Sequence, residues 1–444
     1  MIGYPQQQAS FKKQQKEAVG LLSIGTFLEY FDLMLYVQMA VFLNELFFKL
    51  NDSHSSSFMR TIALCSTFIF RPVGALIFGW LGDNIGRKST VIFTTVTMAA
   101  SCVVMANLPT YDQIGGAVAW IVTICRAVQG ISSMGEIVGA ELYLTEMLHP
   151  PIQYASVGFI GACATLGTLA ALGVALLVTS YGVSWRGAFW LGAIVAFVGS
   201  VARQKLRETP DFADAKRRIK TVFTKTNTDI NILENNRFWQ EKVNKKTVIA
   251  FFLLQCVAPV CFYFIYIYCA NILKTSFDYT LTEVIQHNFL VCIMELLTTL
   301  ILCYLSLKVP PLLTIKIILI IFSIFMIFCP YLLNNINSPY QLFLIQFIII
   351  LWKKCLSPAT PIFLKSFPIF KRFTYASVIF AVSHAVMYII SFSGFVYLVE
   401  HFGNWGIWII MIPTIIGFAY GLSHFENLAK PDEITYSKIR KCIV

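Results

Sequence analysis

Gly79-Trp80-Leu81-Gly82-Asp83-Asn84-Ile85-Gly86-Arg87-Lys88 separates two apolar runs, 58–81 and 89–108, each long enough to cross a bilayer as a helix. Its glycines permit close helix approach and a tight turn. Asp83 is placed to meet donors or the positive N-terminus of a helix. Arg87 and Lys88 suit the headgroup layer. The run is not a phosphate loop, because GxxxxGK[ST] needs a longer interval than the four residues from Gly82 to Gly86. ATP-driven chemistry loses its main support.

Apolar runs of this kind recur on both sides. They lie at 18–48, 58–81, 89–108, 114–137, 153–179 and 186–202, and again at 247–273, 284–307, 312–333, 340–364, 374–399 and 404–424. The pattern predicts an all-α membrane protein with twelve transmembrane helices in two pseudo-symmetric six-helix bundles. The expected division is a cytoplasmic N-terminus at 1–17, a first bundle at 18–202, a linker at 203–246, a second bundle at 247–424 and a tail at 425–444. Composition agrees: of 444 residues, 57% are hydrophobic and 13% charged, with a mean hydropathy of +0.69. A soluble chain would carry about a quarter charged residues. The net charge of +11 therefore does not read as nucleic-acid binding, because apolar runs dominate between the charges. Twelve scattered Cys with no CxxC spacing suggest neither a disulfide framework nor a metal site.

The basic residues set the expected orientation. With both termini in the cytoplasm, 26 of the 34 Lys and Arg fall in cytoplasmic segments, as the positive-inside rule asks. Lys49, Arg60, Arg186 and Lys274 fall outside, and Arg71, Arg126, Lys353 and Lys354 within spans. The linker, with Lys216, Arg217, Arg218 and Lys220, reads as a solvated segment near the membrane surface. An internal repeat supports two halves: Tyr154-Ala155-Ser156-Val157 opens the fifth span and Tyr375-Ala376-Ser377-Val378 the eleventh. Parallel repeats fit a transporter with its site between the halves.

The Gly79–Lys88 run, together with Arg126-Ala127-Val128-Gln129-Gly130 in span 4, resembles the signatures of the major facilitator superfamily. The likeness is closer still to its metabolite:proton symporter branch, which includes proline/betaine, α-ketoglutarate, shikimate and citrate carriers. Glu29-Tyr30-Phe31-Asp32, Arg71-Pro72-Val73-Gly74, Gly135-Glu136 and Gly139-Ala140 carry that likeness, with Trp185-Arg186 and Glu208-Thr209-Pro210. It is strong over about residues 20–212. In the second half Ser306-Leu307-Lys308-Val309-Pro310-Pro311 replaces the expected glycine loop, and His384 stands where the family usually has Asn. The resemblance implies a cytoplasmic gate that includes Gly79, Asp83, Gly86, Arg87 and Lys88, with Asp83 near the start of helix 11.

Charges inside the spans are the candidate site. Glu29 and Asp32 share a face of helix 1, about 18 Å from its cytoplasmic end. Arg71 and Arg126 lie at similar depth on helices 2 and 4. Four unpaired charges there would cost roughly 10–14 kcal/mol on insertion scales, so pairing or hydration is expected. Glu29 or Asp32 is the expected proton carrier, with Arg71 or Arg126 answering its charge; a fixed packing network is the other reading. Glu136 joins them through the family motif. Glu295 and Lys353, with Lys354 beside it, are expected to pair in the second half. Tyr263 and Tyr266 offer rings to a quaternary ammonium by cation–π contact, or simply pack.

These features point to a secondary active transporter, not an enzyme. The expected activity is proton-coupled uptake of a small polar metabolite such as proline or betaine. The alternatives are an organic-acid proton symporter and a non-transporting solute sensor. The expected partners are a solute, a proton and the lipid bilayer of the inner membrane, with no nucleic acid. The expected protein is a monomer with no cofactor or metal, driven by the proton gradient.

Overall fold

A computed structural model describes residues 8, 10–39, 43, 46–48, 67–181, 184–204, 209 and 243–443. Most of the linker, the first part of span 2 and Asn51-Asp52-Ser53, a match to the common glycosylation sequon, lie outside them. Among the described residues, twelve long helical segments follow one another. They are α1 (Lys13–Gln38), α2 (Arg71–Asn84), α3 (Arg87–Ala106), α4 (Ala117–Met147), α5 (Ile152–Tyr181) and α6 (Trp185–Arg203) in the first half. The second half has α7 (Lys245–Phe277), α8 (Leu281–Ser306), α9 (Pro311–Asn334), α10 (Pro339–Lys365), α11 (Arg372–Phe402) and α12 (Ile407–Ile443).

The two halves pack alike. Within them α3 lies on α6 and α9 on α12. Between them α5 packs on α8 and α11 on α2, so the fifth helix of each half meets the second of the other. That exchange is what a two-fold relation between parallel repeats produces. The Tyr-Ala-Ser-Val repeat lies near the start of α5 and of α11.

Helix ends are set locally. Thr280 caps α8: its hydroxyl accepts from the Glu283 N–H, and the Glu283 carboxylate accepts from the Thr280 N–H at 2.7 Å. Ser338 caps α10 ahead of Pro339, where the missing proline N–H costs nothing. The outer surface is apolar, as lipid contact requires. Ile317, Ile320, Ile321, Ile324 and Ile327 of α9 are all exposed, and a bilayer is the solvent that accepts them.

α7 and α10 are interrupted, which the drawn spans 247–273 and 340–364 did not anticipate. In α7 the regular helix stops at Gln255 and resumes at Val257. Pro259 explains it: the proline has no N–H for the Gln255 carbonyl and its ring crowds it. A wide π-turn follows at Phe264–Tyr268. Gln346 of α10 donates to the Ile265 carbonyl in that turn at 2.8 Å, and its own oxygen lies 2.8 Å from His287 Nε2. α10 breaks at Cys355 and Leu356, ahead of Pro358 and Pro361. Both interruptions border the interior cavity.

Candidate functional site

A cavity of about 190 Å³ lies between the halves. It is smaller than the roughly 300–1,000 Å³ typical for drug-sized ligands, and so suits a small metabolite. Its wall includes Tyr30 of α1, Arg71 of α2, Glu141 of α4, Thr165 of α5, Gln255 and Tyr266 of α7, Glu295 of α8, Lys353 and Lys354 of α10, and His384 and Tyr388 of α11.

The second half contributes a three-membered ion cluster. Glu295 Oε1 lies 2.9 Å from Lys353 Nζ and 2.8 Å from Lys354 Nζ. Its other oxygen accepts from the Tyr266 hydroxyl at 2.8 Å. Lys353 also sits 5.5 Å over the Tyr266 ring. Lys354 donates to Thr165 Oγ1 of α5 at 2.9 Å, so this cluster reaches across to the first half. Two ammonium groups against one carboxylate leave a surplus positive charge. Both lysines, expected from the sequence at the depth of Glu295, lie in the last turn of the regular helix before the break.

In the first half the four charges, for which pairing or hydration is expected, do not share one surface. Glu29, Asp32 and Arg126 are buried and are not part of the cavity wall. Gln129 stands between Asp32 and Arg126: its amide nitrogen donates to Asp32, and its oxygen accepts from Arg126 at 2.9 Å. One turn separates Arg126 from Gln129 on α4, which makes this relay possible. The Arg126 guanidinium also lies 4.6 Å over the Tyr36 ring. Arg71 faces the cavity, 5.0 Å from the Phe68 ring. Among the described residues no hydrogen bond or ion pair meets its guanidinium. Glu136 is within α4, but its side chain falls outside the described set.

The tyrosines divide. Tyr266 lines the cavity, whereas Tyr263 stacks on Phe395 with ring centres 5.2 Å apart. Residues three apart share a face in a regular α-helix; the π-turn beginning at Phe264 separates these two. Glu141, Tyr388 and Gln129 were not singled out in the sequence. Glu141 lies beyond the expected end of span 4 at residue 137, in a stretch where α4 continues to Met147.

One end of the cavity is closed by contacts between the halves. Asp83 Oδ1 and Oδ2 accept from the N–H groups of Phe373 and Thr374, at 3.1 and 2.8 Å, and so cap α11 from outside it. Gly86, at φ 143°, makes the turn that no side chain would tolerate. A Cβ on Gly79 would stand 2.7 Å from Thr374 Cα. Arg87, fully buried, pairs with Asp83 at 3.4 Å and Glu146 at 3.2 Å, and donates to the Ile369 carbonyl at 2.8 Å. Glu146 also pairs with Arg372 at 3.2 Å and accepts from Thr209 at 2.7 Å. Sequence spacing did not show Glu146, because its three partners come from distant stretches. Lys88 is apart from this closure and donates to the Gln204 carbonyl at 2.8 Å.

Fold and site together define a multi-pass membrane protein with a solute-sized cavity between two helical bundles. Its family follows from sequence: the Major Facilitator Superfamily model matches residues 22–365, and the chain belongs to that superfamily. Relatives include a Haemophilus influenzae protein named for metabolite transport, 36% identical over 222 residues (48% of this chain, 49% of the relative). A Staphylococcus aureus protein named for proline/betaine transport is 31% identical over 241 residues (52% and 50%). The inner membrane metabolite transport protein YhjE of Escherichia coli is 32% identical over 241 residues (50% and 54%). The chain thus spans about half the length of the curated relatives it matches. In fold it is similar to the proton:xylose symporter XylE bound to 6-bromo-6-deoxy-D-glucose, with TM-score 0.72 and 15% identity over 93% of this chain and 95% of that one. The human organic anion transporter MFSD10 gives 0.61 and 13%, over 93% and 99%. These relatives and this fold are those of transporters, not enzymes.

Proposed function

We propose that the protein is a secondary active transporter that takes up a small carboxylate-bearing metabolite together with a proton, by alternating access. The supporting observation is the charge of the cavity wall. Arg71 has no ion pair among the described residues, and Lys353 with Lys354 outnumbers Glu295. A guanidinium matches a carboxylate with two parallel hydrogen bonds. Proline and betaine carry that carboxylate beside a cationic nitrogen, for which Tyr388 and the other wall aromatics supply π-faces. The relatives named for proline/betaine transport favour this cargo. The surplus of cationic groups favours a dicarboxylate as the second reading.

The Asp83 end faces the cytoplasm in this proposal. Lys12, Lys13, Lys16, Arg87, Lys88, Lys245, Lys246, Lys308 and Lys371 flank helix ends there, against Arg186 and Lys274 at the other end. The closure described above then holds the cytoplasmic side shut. The test is reconstitution in liposomes with an internal pH indicator and a panel of proline, betaine, dicarboxylates, shikimate and citrate. Acidification driven by one solute supports symport and names the class. Binding of a panel solute with no flux would replace it with a sensor.

A further inference from the structure

We propose that Glu141 is the proton-binding residue of this transporter, a role the sequence reading gave to Glu29 or Asp32. The proposal rests on the proton-symport reading above. Three observations carry it. Glu141 lies on the cavity wall and is only half-buried, so its carboxyl meets the space that cargo would occupy. Among the described residues its carboxyl has no hydrogen bond or ion pair. Along α4 it stands five residues, about 7.5 Å, before Glu146 of the closing network. It is therefore close to the water that enters when that network opens. Asp32, by contrast, is off the wall and held by Gln129.

Among the described residues of the wall, the carboxyl that is not already engaged is that of Glu141. From α1 comes Tyr30, next to buried Glu29, and from α2 the cation Arg71. α8 and α10 supply Glu295, Lys353 and Lys354, already engaged with one another, and Cys292. α11 supplies His384 and Tyr388; α5 and α7 present Thr165, Thr168, Gln255 and Tyr266 but no charge. α3 meets α4 through Arg87, which Glu146 holds. A cargo carboxylate would share this small cavity with an ionised Glu141. Like charges at such range repel, so protonation of Glu141 favours cargo and cargo favours protonation. Hydronium gives a proton to the carboxylate, its own O–H bond breaking to leave water as the carboxyl O–H forms; when the Asp83 end opens the carboxyl O–H breaks and water takes the proton as hydronium.

Two readouts on the full-length protein in liposomes test this. Dicyclohexylcarbodiimide reacts with protonated carboxyls in apolar surroundings, and peptide mass spectrometry locates the adduct. Glu141 should be modified at pH 5 and progressively less toward pH 9. No modification at any pH, or no change across the range, overturns the assignment without reference to any solute. In transport, Glu141→Gln should lose solute-driven acidification yet keep exchange of the same solute. Its solute affinity should lose a pH dependence of about 5–150-fold, the usual range for coupled sites. Acidification that persists in Glu141→Gln removes Glu141 and leaves symport standing. Wild-type exchange without acidification removes both. If Glu141→Gln does not fold, Glu141→Asp, expected to remain coupled with a shifted pH profile, and the wild-type labelling decide.

Discussion

Asp83 at the end of α2 accepts a 2.8 Å hydrogen bond from the backbone N–H of Thr374, in the first turn of α11. A carboxylate of one half thereby caps a helix of the other, where the helix dipole favours negative charge by up to about 2 kcal/mol in partly buried sites. The contact holds the halves together only while both ends remain in place.

Asp83→Asn should therefore weaken closure at this end by about 1–2 kcal/mol, a five- to thirtyfold change in population. Spin labels on Asn84→Cys and Lys371→Cys would report it as a longer distance. Gly79→Val should act in the same direction, because its side chain meets the Thr374 backbone. Unchanged distances in both variants would show that the contact is not a latch.

Glu295→Gln leaves Lys353 and Lys354 facing each other without their shared carboxylate. Breaking a buried pair costs roughly 3–5 kcal/mol when one charge is left unanswered, so a clear fall in melting temperature is expected. Lys353→Met should cost less, since Lys354 still pairs. The double variant should show coupling of about 0.5–3 kcal/mol; additive losses would dissolve the cluster as an energetic unit.

Gln129→Leu removes both halves of the relay between Asp32 and Arg126. Each stranded buried group costs about 1–3 kcal/mol, and thermal unfolding should show the loss. Gln129→Glu should not restore stability, because it offers an acceptor to Arg126 but sets a second carboxylate against buried Asp32. Wild-type stability in Gln129→Leu would mean that Asp32 and Arg126 find other partners.

Arg71→Gln should weaken binding of the transported solute about 10- to 100-fold, the range of a charged hydrogen bond of 1.5–3 kcal/mol. Arg71→Lys should recover only part, since an ammonium lacks the planar fork. Calorimetric titration of the solute that acidifies the liposomes reads both; equal affinities would place the carboxylate at Lys353 and Lys354 instead.

Much of this was legible in the chain. Bilayer-length apolar runs have one stable backbone solution, the helix, because lipid cannot satisfy exposed N–H and C=O groups. The Gly79–Lys88 run falls at the turn between α2 and α3, and the repeat at Tyr154 and Tyr375 near the starts of α5 and α11. Glu295 and Lys353 were recognisable as rare charges in apolar runs. Gln129, Glu146 and Glu141 were not, because a glutamine or a glutamate on a long helix looks the same whether it faces lipid headgroups, a partner or a cavity.

By itself the sequence determined the class: charge scarcity and span lengths leave a multi-pass helical membrane protein, and the Gly79–Lys88 and Arg126–Gly130 motifs tie it by resemblance to this superfamily. Tertiary structure alone decided which charges meet. Asp32 reaches Arg126 only through Gln129, Tyr266 faces the cavity while Tyr263 does not, and Glu141 is left open on the wall. Each outcome depends on helix rotation, and that of the tyrosines also on the π-turn after Pro259. Packing between distant segments sets those, and hydrophobic periodicity does not record them.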